Sequence, residues 1–292
     1  MLNSPLTTPQ FSRILWCAAL LMLCCFSGCS NARMADDKGI TKTENYNGRD
    51  YIFYTPIALA HSSSPLLIIL HGGGGSAEWM QRHLSMEAMA NRYGFKLAYL
   101  NGNPGERFFS HNMRTWNAGD CCGIAAAKQL DDVGYLTGFI NHLVQQGEAD
   151  ASRISLLGHS NGAMMSYRYA CSHSDKIAAV VAVSGTLSLA LDGRQCQAQH
   201  LAILHVHGME DENVPINGGT GKKSITKDIQ FRAVADNTAI FRQAGADISV
   251  TLLPNTPHKL TTISENMAKN NGASLEETAA RFINGKTSAA NR

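Results

Sequence analysis

The chain has 292 residues, 44% of them hydrophobic, which is enough material for one large α/β domain with a well-buried core. A formal charge of +2, with no basic patch interleaved with aromatics, argues against nucleic acid or a polyanion as partner. There are no internal repeats.

Taken from the N-terminus, Arg13 precedes the apolar stretch Ile14 to Phe26. That stretch is shorter than the ~20 residues of a membrane-spanning helix, so residues 1–28 read as an export signal. Its end, Phe26-Ser27-Gly28-Cys29-Ser30, resembles the lipobox of a bacterial lipoprotein, with Cys29 as the lipidated residue. Lipidation would anchor the protein to a membrane, in the periplasm or at the cell surface. The other reading is ordinary cleavage near Ala32, giving a secreted or periplasmic soluble protein. The polar residues 29–47 read as a tether, leaving 48–292 as the folded domain.

Tyr51 to Tyr54 reads as an early strand and Leu66 to Leu70 as a buried one. The buried strand runs into His71-Gly72-Gly73-Gly74-Gly75-Ser76, followed by a helix from about Ala77 to Tyr93. Glycines there let backbone N–H groups point at an anion. Gly72 to Ala77 also fits a dinucleotide fingerprint. The next strand, Phe95 to Leu100, ends in Asn101-Gly102-Asn103 and offers no acidic group for a ribose, so no nucleotide cofactor is expected. Asn103 to Lys128 is a long excursion of the kind that shapes binding sites, and its Phe108 and Trp116 are candidates for a pocket wall. The alternative is that these aromatics only pack the loop onto the domain. Asp131 and Asp132 read as caps of a helix that carries Leu136, Ile140 and Leu143 on one face and ends near Gly147.

Ile154-Ser155-Leu156-Leu157 then leads into Gly158-His159-Ser160-Asn161-Gly162 and a helix over Ala163 to Cys171. A serine at a strand-to-helix turn between glycines is the pattern of a nucleophile elbow. The turn is too tight for a Cβ on either side, and it lifts the Ser160 hydroxyl clear of the sheet. The backbone N–H of Asn161 is positioned to donate to an oxyanion; His159 and the Asn161 side chain are given no chemical step. After the strand Ile177 to Val183, a further strand from Leu201 to Val206 ends in His207-Gly208-Met209-Glu210-Asp211-Glu212-Asn213-Val214-Pro215, with Asp211 as the candidate acid. His205 and His207 alternate on that strand, but no metal site is expected. Gly218 to Lys227 reads as a mobile surface loop, Phe231 to Gln243 and Ser274 to Ile283 as the last two helices, and Ile248 to Leu253 as the last strand. Of the 11 histidines only His258 lies beyond Asp211, which makes it the candidate base.

Glycine loop, serine, acid and histidine occur in the chain order of an α/β-hydrolase, a mainly parallel sheet flanked by helices. In that arrangement His258 takes the proton from Ser160, Asp211 fixes the imidazole tautomer, and the serine attacks an ester carbonyl to give an acyl-enzyme that water resolves. Neither cofactor nor metal is required.

His71 to Ser76, Trp116-Asn117-Ala118-Gly119-Asp120-Cys121-Cys122-Gly123, Asp131 to Gly134, the Gly158 to Gly162 elbow, and His207-Gly208 with Asp211, Val214 and Pro215 together resemble the polyhydroxybutyrate depolymerase and feruloyl esterase group of serine esterases. The resemblance runs from about Asn45 to Phe282. It implies Gly73 as the first oxyanion donor, Ser160, Asp211 and His258 as the triad, and a small or oligomeric ester as substrate. Feruloyl or acetyl esters, or soluble 3-hydroxybutyrate oligomers, are the expected classes, with the polymer itself as an alternative. The chain departs from the group at Thr256-Pro257 before His258 and Lys259-Leu260 after it, where glycines and Trp-Pro are common. A surface binding protein on an inactive hydrolase scaffold is the reading of a different class.

Cys17, Cys24 and Cys25 fall in the signal and Cys29 at its end, leaving Cys121, Cys122, Cys171 and Cys196. A bond between the neighbours Cys121 and Cys122 would be strained, so each is expected to reach one of Cys171 and Cys196, in either pairing. Four buried free thiols is the other reading.

Overall fold

The structure, a computed structural model, describes Met1 and residues 39–104, 113–224 and 228–289. The export signal, the lipidation candidate Cys29 and the pocket candidate Phe108 lie outside the described residues.

In chain order the elements are β1 (Gly39–Tyr46), β2 (Arg49–Pro56), β3 (Ser64–Leu70), α1 (Ala77–Leu84), α2 (Glu87–Tyr93), β4 (Lys96–Leu100), α3 (Gly123–Ala127) and α4 (Asp132–Gln145). They continue as β5 (Ala149–His159), α5 (Asn161–His173), β6 (Ala179–Val183), β7 (Ala202–Gly208), β8 (Gly219–Thr220), β9 (Gln230–Phe231), α6 (Val234–Gln243), β10 (Asp247–Leu253), α7 (Leu260–Asn271) and α8 (Leu275–Ala289). Eight strands form one sheet in the order β1-β2-β4-β3-β5-β6-β7-β10. Strand β2 runs antiparallel to both its neighbours, β1 and β4, and the six strands from β4 to β10 are mutually parallel, the architecture of the α/β-hydrolase fold.

The central strands are apolar without interruption because both sheet faces are covered. Leu66, Ile68 and Leu70 enter the core under α4, α5 and α6, whereas Leu67 and Ile69 enter a second core under α1, α2, α7 and α8. Sequence order reverses between β3 and β5: β4 lies on one side of β3 and β5 on the other. The crevice at the carboxyl ends of two such strands is where open α/β sheets bind ligands. In register Leu70 pairs with Gly158, so the loops that leave β3 and β5 start level with one another. Gly208 of β7 likewise pairs with Leu253 of β10.

Several sequence expectations change. The expected tether stops at Gly39, where β1 begins as a polar edge strand antiparallel to β2, anchored by Tyr46 against Tyr135 and Phe139. The helix expected over Ala77 to Tyr93 is two helices, because Ser85 takes a left-handed conformation at φ 43° and ends α1. Helix α7 was not expected: its apolar face is only Leu260, Ile263 and Met267. The Gly218 to Lys227 segment is tied down where described: β8 pairs with β9, and the Lys223 N–H donates to the Glu212 carbonyl at 2.9 Å.

Candidate active site

Ser160 sits at φ 54° and ψ −121°, a conformation that costs a non-glycine residue about 1–3 kcal/mol and persists only where the surroundings impose it. The surroundings do so at close range. A Cβ on Gly158 would lie 2.3 Å from the Gly162 carbonyl oxygen, and one on Gly162 would lie 2.2 Å from that of Leu70. The Ser160 N–H donates to Val183 O at 2.8 Å, tying the turn to β6.

The loops after β7 and β10 bring two further groups to this serine. His258 Nε2 is 2.8 Å from Ser160 Oγ, and His258 Nδ1 is 2.6 Å from Asp211 Oδ2. The other oxygen of Asp211 accepts the N–H groups of Val214 at 2.8 Å and Asn213 at 2.9 Å. Burial alone would raise the Asp211 carboxyl, but hydrogen bonds from His207 and His258 outweigh it and hold the group well below the usual carboxylate range. The ionised acid therefore takes the Nδ1–H of His258, which leaves Nε2 as the acceptor for the serine hydroxyl.

His159 has a place in this geometry that its sequence position did not suggest. Its Nε2–H donates to the main-chain carbonyl of His258 at 3.0 Å, and the two rings lie 5.0 Å apart. Burial, and next the nearness of His258, push the His159 imidazole down to about 3, so it is a neutral donor.

Gly73 and Asn161 each follow the paired residues Leu70 and Gly158 by three positions, and a Cβ on Gly73 would come within 3.8 Å of Asn161 Cβ. The Gly74 and Gly75 amides are engaged by Arg114 O at 2.8 Å and Gly72 O at 3.0 Å. Gly73 and Asn161 both line the cavity at Ser160. The Asn161 side chain grips the main chain of Trp116 at two points, accepting its N–H at 2.7 Å and donating to its carbonyl at 3.0 Å.

Trp116 itself does not form the pocket wall expected of it. It is fully buried, with its indole N–H donating to His71 O at 3.0 Å, because a buried indole needs an acceptor and the glycine loop supplies one. Its loop is also held by Asp132, which was expected to be a cap. Asp131 is the cap, accepting the Gly134 N–H at 2.8 Å. Asp132 is fully buried and accepts from Arg49 at 2.7 Å, the Asn103 amide at 2.9 Å and the Asn117 N–H at 2.7 Å.

A cavity of about 570 Å³ opens at Ser160, with Met113, Ile124, Met164, Val214 and Phe231 among its apolar lining. Cys121 and Cys122 line it too, and they are bonded to each other, while Cys171 is bonded to Cys196. The expected cross-pairing does not form: the Gln197 N–H donates to the Cys171 carbonyl at 3.1 Å, which keeps Cys196 beside Cys171 and leaves Cys121 and Cys122 to each other.

A family model described as phospholipase/carboxylesterase matches residues 57–255. The bifunctional acetylxylan esterase/xylanase of Neocallimastix patriciarum is 30% identical over 171 residues, which cover 59% of this chain and 22% of that protein. Feruloyl esterase B of Neurospora crassa is 30% identical over 132 residues, covering 45% of this chain and 42% of that protein. The chain thus spans less than half the length of either relative. Among solved structures, an S-formylglutathione hydrolase from Agrobacterium tumefaciens has a TM-score of 0.58 at 15% identity, covering 86% of this chain and 96% of that one. That likeness shows the fold.

Proposed function

Since this chain belongs to the phospholipase/carboxylesterase family, we propose that it is a serine esterase that cleaves carboxylic esters through an acyl-enzyme. The observation that carries this reading is the unbroken line from Ser160 Oγ through the His258 imidazole to Asp211, at 2.8 and 2.6 Å. His258 removes the hydroxyl proton as Ser160 attacks the ester carbonyl, and Asp211 stabilises the imidazolium. The N–H groups of Gly73 and Asn161 receive the oxyanion, each such donor lowering the barrier by about 3 kcal/mol. His258 then gives its proton to the leaving alcohol, and water repeats the sequence on the acyl-enzyme with the same base.

The apolar lining of the cavity favours an aromatic or short acyl group. Feruloyl and acetyl esters are the substrate classes we put first, in keeping with the acetylxylan and feruloyl esterases to which this chain is similar. Soluble 3-hydroxybutyrate oligomers come next, and the polymer itself last. We also propose that the protein is exported and lipidated at Cys29, which mass spectrometry of the mature N-terminus tests: an unmodified peptide starting after residue 29 would refute it.

The decisive experiment compares initial rates on methyl ferulate, an acetylated xylo-oligosaccharide and a 3-hydroxybutyrate oligomer, with Ser160→Ala as control. The variant is expected to lose about a millionfold in kcat. A Ser160→Ala protein that keeps most of its activity overturns the assignment. Failure of the native protein to react with a fluorophosphonate probe would instead indicate a binding protein on an inactive scaffold.

A further inference from the structure

Behind Asp211 a line of buried side chains leads away from solvent, and the mechanism above does not use it. His207 Nε2 lies 2.8 Å from Val214 O and 3.4 Å from Asp211 Oδ2, the same oxygen that faces His258. His207 Nδ1 is 3.1 Å from His205 Nε2, and His205 Nδ1 is 2.8 Å from the Tyr167 hydroxyl. Tyr167, His205 and His207 are all completely buried.

The two ends of this line fix its proton positions. His207 Nε2 faces a carbonyl and a carboxylate, neither of which has a proton to give, so Nε2 carries the hydrogen. At the far end stands the Tyr167 hydroxyl. The buried phenol needs an acceptor of its own, and among the described residues His205 Nδ1 is the one within reach. Burial, with His207 beside it, holds the His205 imidazole neutral. One proton per ring then satisfies every contact: Tyr167 donates to His205, His205 to His207, and His207 to Val214 O and Asp211. The reverse orientation would leave the phenol proton without an acceptor and require a buried imidazolium at His207.

We propose that Tyr167, His205 and His207 form an oriented donor chain that positions and polarises Asp211, so that its Oδ2 is shared between His258 and His207. The inference rests on the reading of Ser160, His258 and Asp211 as a catalytic triad. The titratable groups facing Asp211 are His207 from β7 and His258 from the loop before α7, with His159 from the end of β5 beyond them. Withdrawing a donor from Asp211 leaves its charge less stabilised, so it holds the His258 imidazolium more strongly and His258 protonates at higher pH. His207 and its two followers are therefore positioning residues that set the pH at which the base becomes available.

The test is the pH dependence of kcat/KM for wild type, Tyr167→Phe, His207→Leu and His207→Gln, together with the NMR titration of the His258 imidazole in the same full-length proteins. Tyr167→Phe keeps the ring packed against Phe241, 4.8 Å away, and removes only the terminal donor. The acid limb and the His258 titration are expected to move to higher pH together, by about half a unit or more in His207→Leu and by less in Tyr167→Phe. His207→Gln, which returns an amide donor to the Nε2 position, is expected to reverse most of the shift. Folded His207→Leu and Tyr167→Phe proteins that both leave the His258 titration unmoved would reduce the chain to packing and overturn the proposal. A limb displaced to lower pH would overturn it as well. If wild type hydrolyses no ester, the triad reading fails, and the His258 titration still decides whether the chain acts on Asp211.

Discussion

The His159 imidazole donates a 3.0 Å hydrogen bond to the main-chain carbonyl of His258, so the residue that precedes Ser160 holds the loop of His258. Ser160 and His258 are thereby aligned from the strand that leads into Ser160.

Replacing His159 by alanine removes that donor and the 5.0 Å ring contact. A base displaced by about 1 Å costs on the order of a hundredfold in rate, so His159→Ala is expected to lower kcat by ten- to a hundredfold with little change in KM. His159→Gln, which keeps a donor, should recover part of it. Steady-state kinetics on any accepted ester check this; unchanged kcat in His159→Ala would refute the role.

Asp132 takes three donors in full burial and draws Arg49, Asn103 and Asn117 together beneath the Trp116 loop. Asp132→Ala strands the Arg49 guanidinium, whose side chain is only 12% exposed, and is expected to cost about 3–5 kcal/mol of stability. Urea unfolding measures it. A loss under about 1 kcal/mol would mean that water replaces the carboxylate.

Peptide mapping without reduction should recover Cys171 and Cys196 in one cross-linked pair and Cys121 with Cys122 in a single peptide lighter by two hydrogens. Any peptide joining Cys121 or Cys122 to Cys171 would overturn this connectivity.

Acid should weaken the fold before it protonates the carboxylates. Burial, the larger cause in each, pushes His71 down to about 4 and His159 to about 3, from an ordinary value of 6.5. Between pH 6.5 and about 4 the unfolded chain binds protons that the folded chain refuses, so stability is full above 6.5 and falls with pH. Each group approaches a slope of about 1.4 kcal/mol per pH unit below 6.5, so together they remove about 3 kcal/mol between pH 6.5 and 5, or roughly 10 °C in Tm. Asp211, held low, adds a further loss only below its unfolded value of 3.8. Calorimetry from pH 7 to 5 checks the sign, and a flat Tm would contradict the neutral burial of these rings.

Ser160, Asp211 and His258, which the structure draws together, could be picked out from the sequence because each follows a strand recognisable by its apolar run. Trp116 could not be placed, since an aromatic in a long loop packs equally well outward or inward, and only the fold reveals His71 O as the acceptor for its indole. Helix α7 did leave a signal, Leu260, Ile263 and Met267 at helical spacing, but the polar residues between them and its abrupt start after His258 hid it. Strand β1 left less: an edge strand with mostly exposed side chains carries no alternation of apolar and polar residues. The vicinal pairing of Cys121 and Cys122 left no signal, because spacing along the chain does not disclose which thiols the fold brings together.

The hydrogen bonds joining His258 to Ser160 and to Asp211 close 98 and 47 residues of chain. Neither can form until β5, β7 and β10 lie in one sheet, so the proposed ester cleavage would be a gauge of finished assembly. A refolding sample regains helical signal from contacts within short stretches, and that activity would return only when these long-range pairings are complete. Any half-built form would be silent in the assay, and the fraction of full specific activity in a preparation would count its correctly assembled molecules.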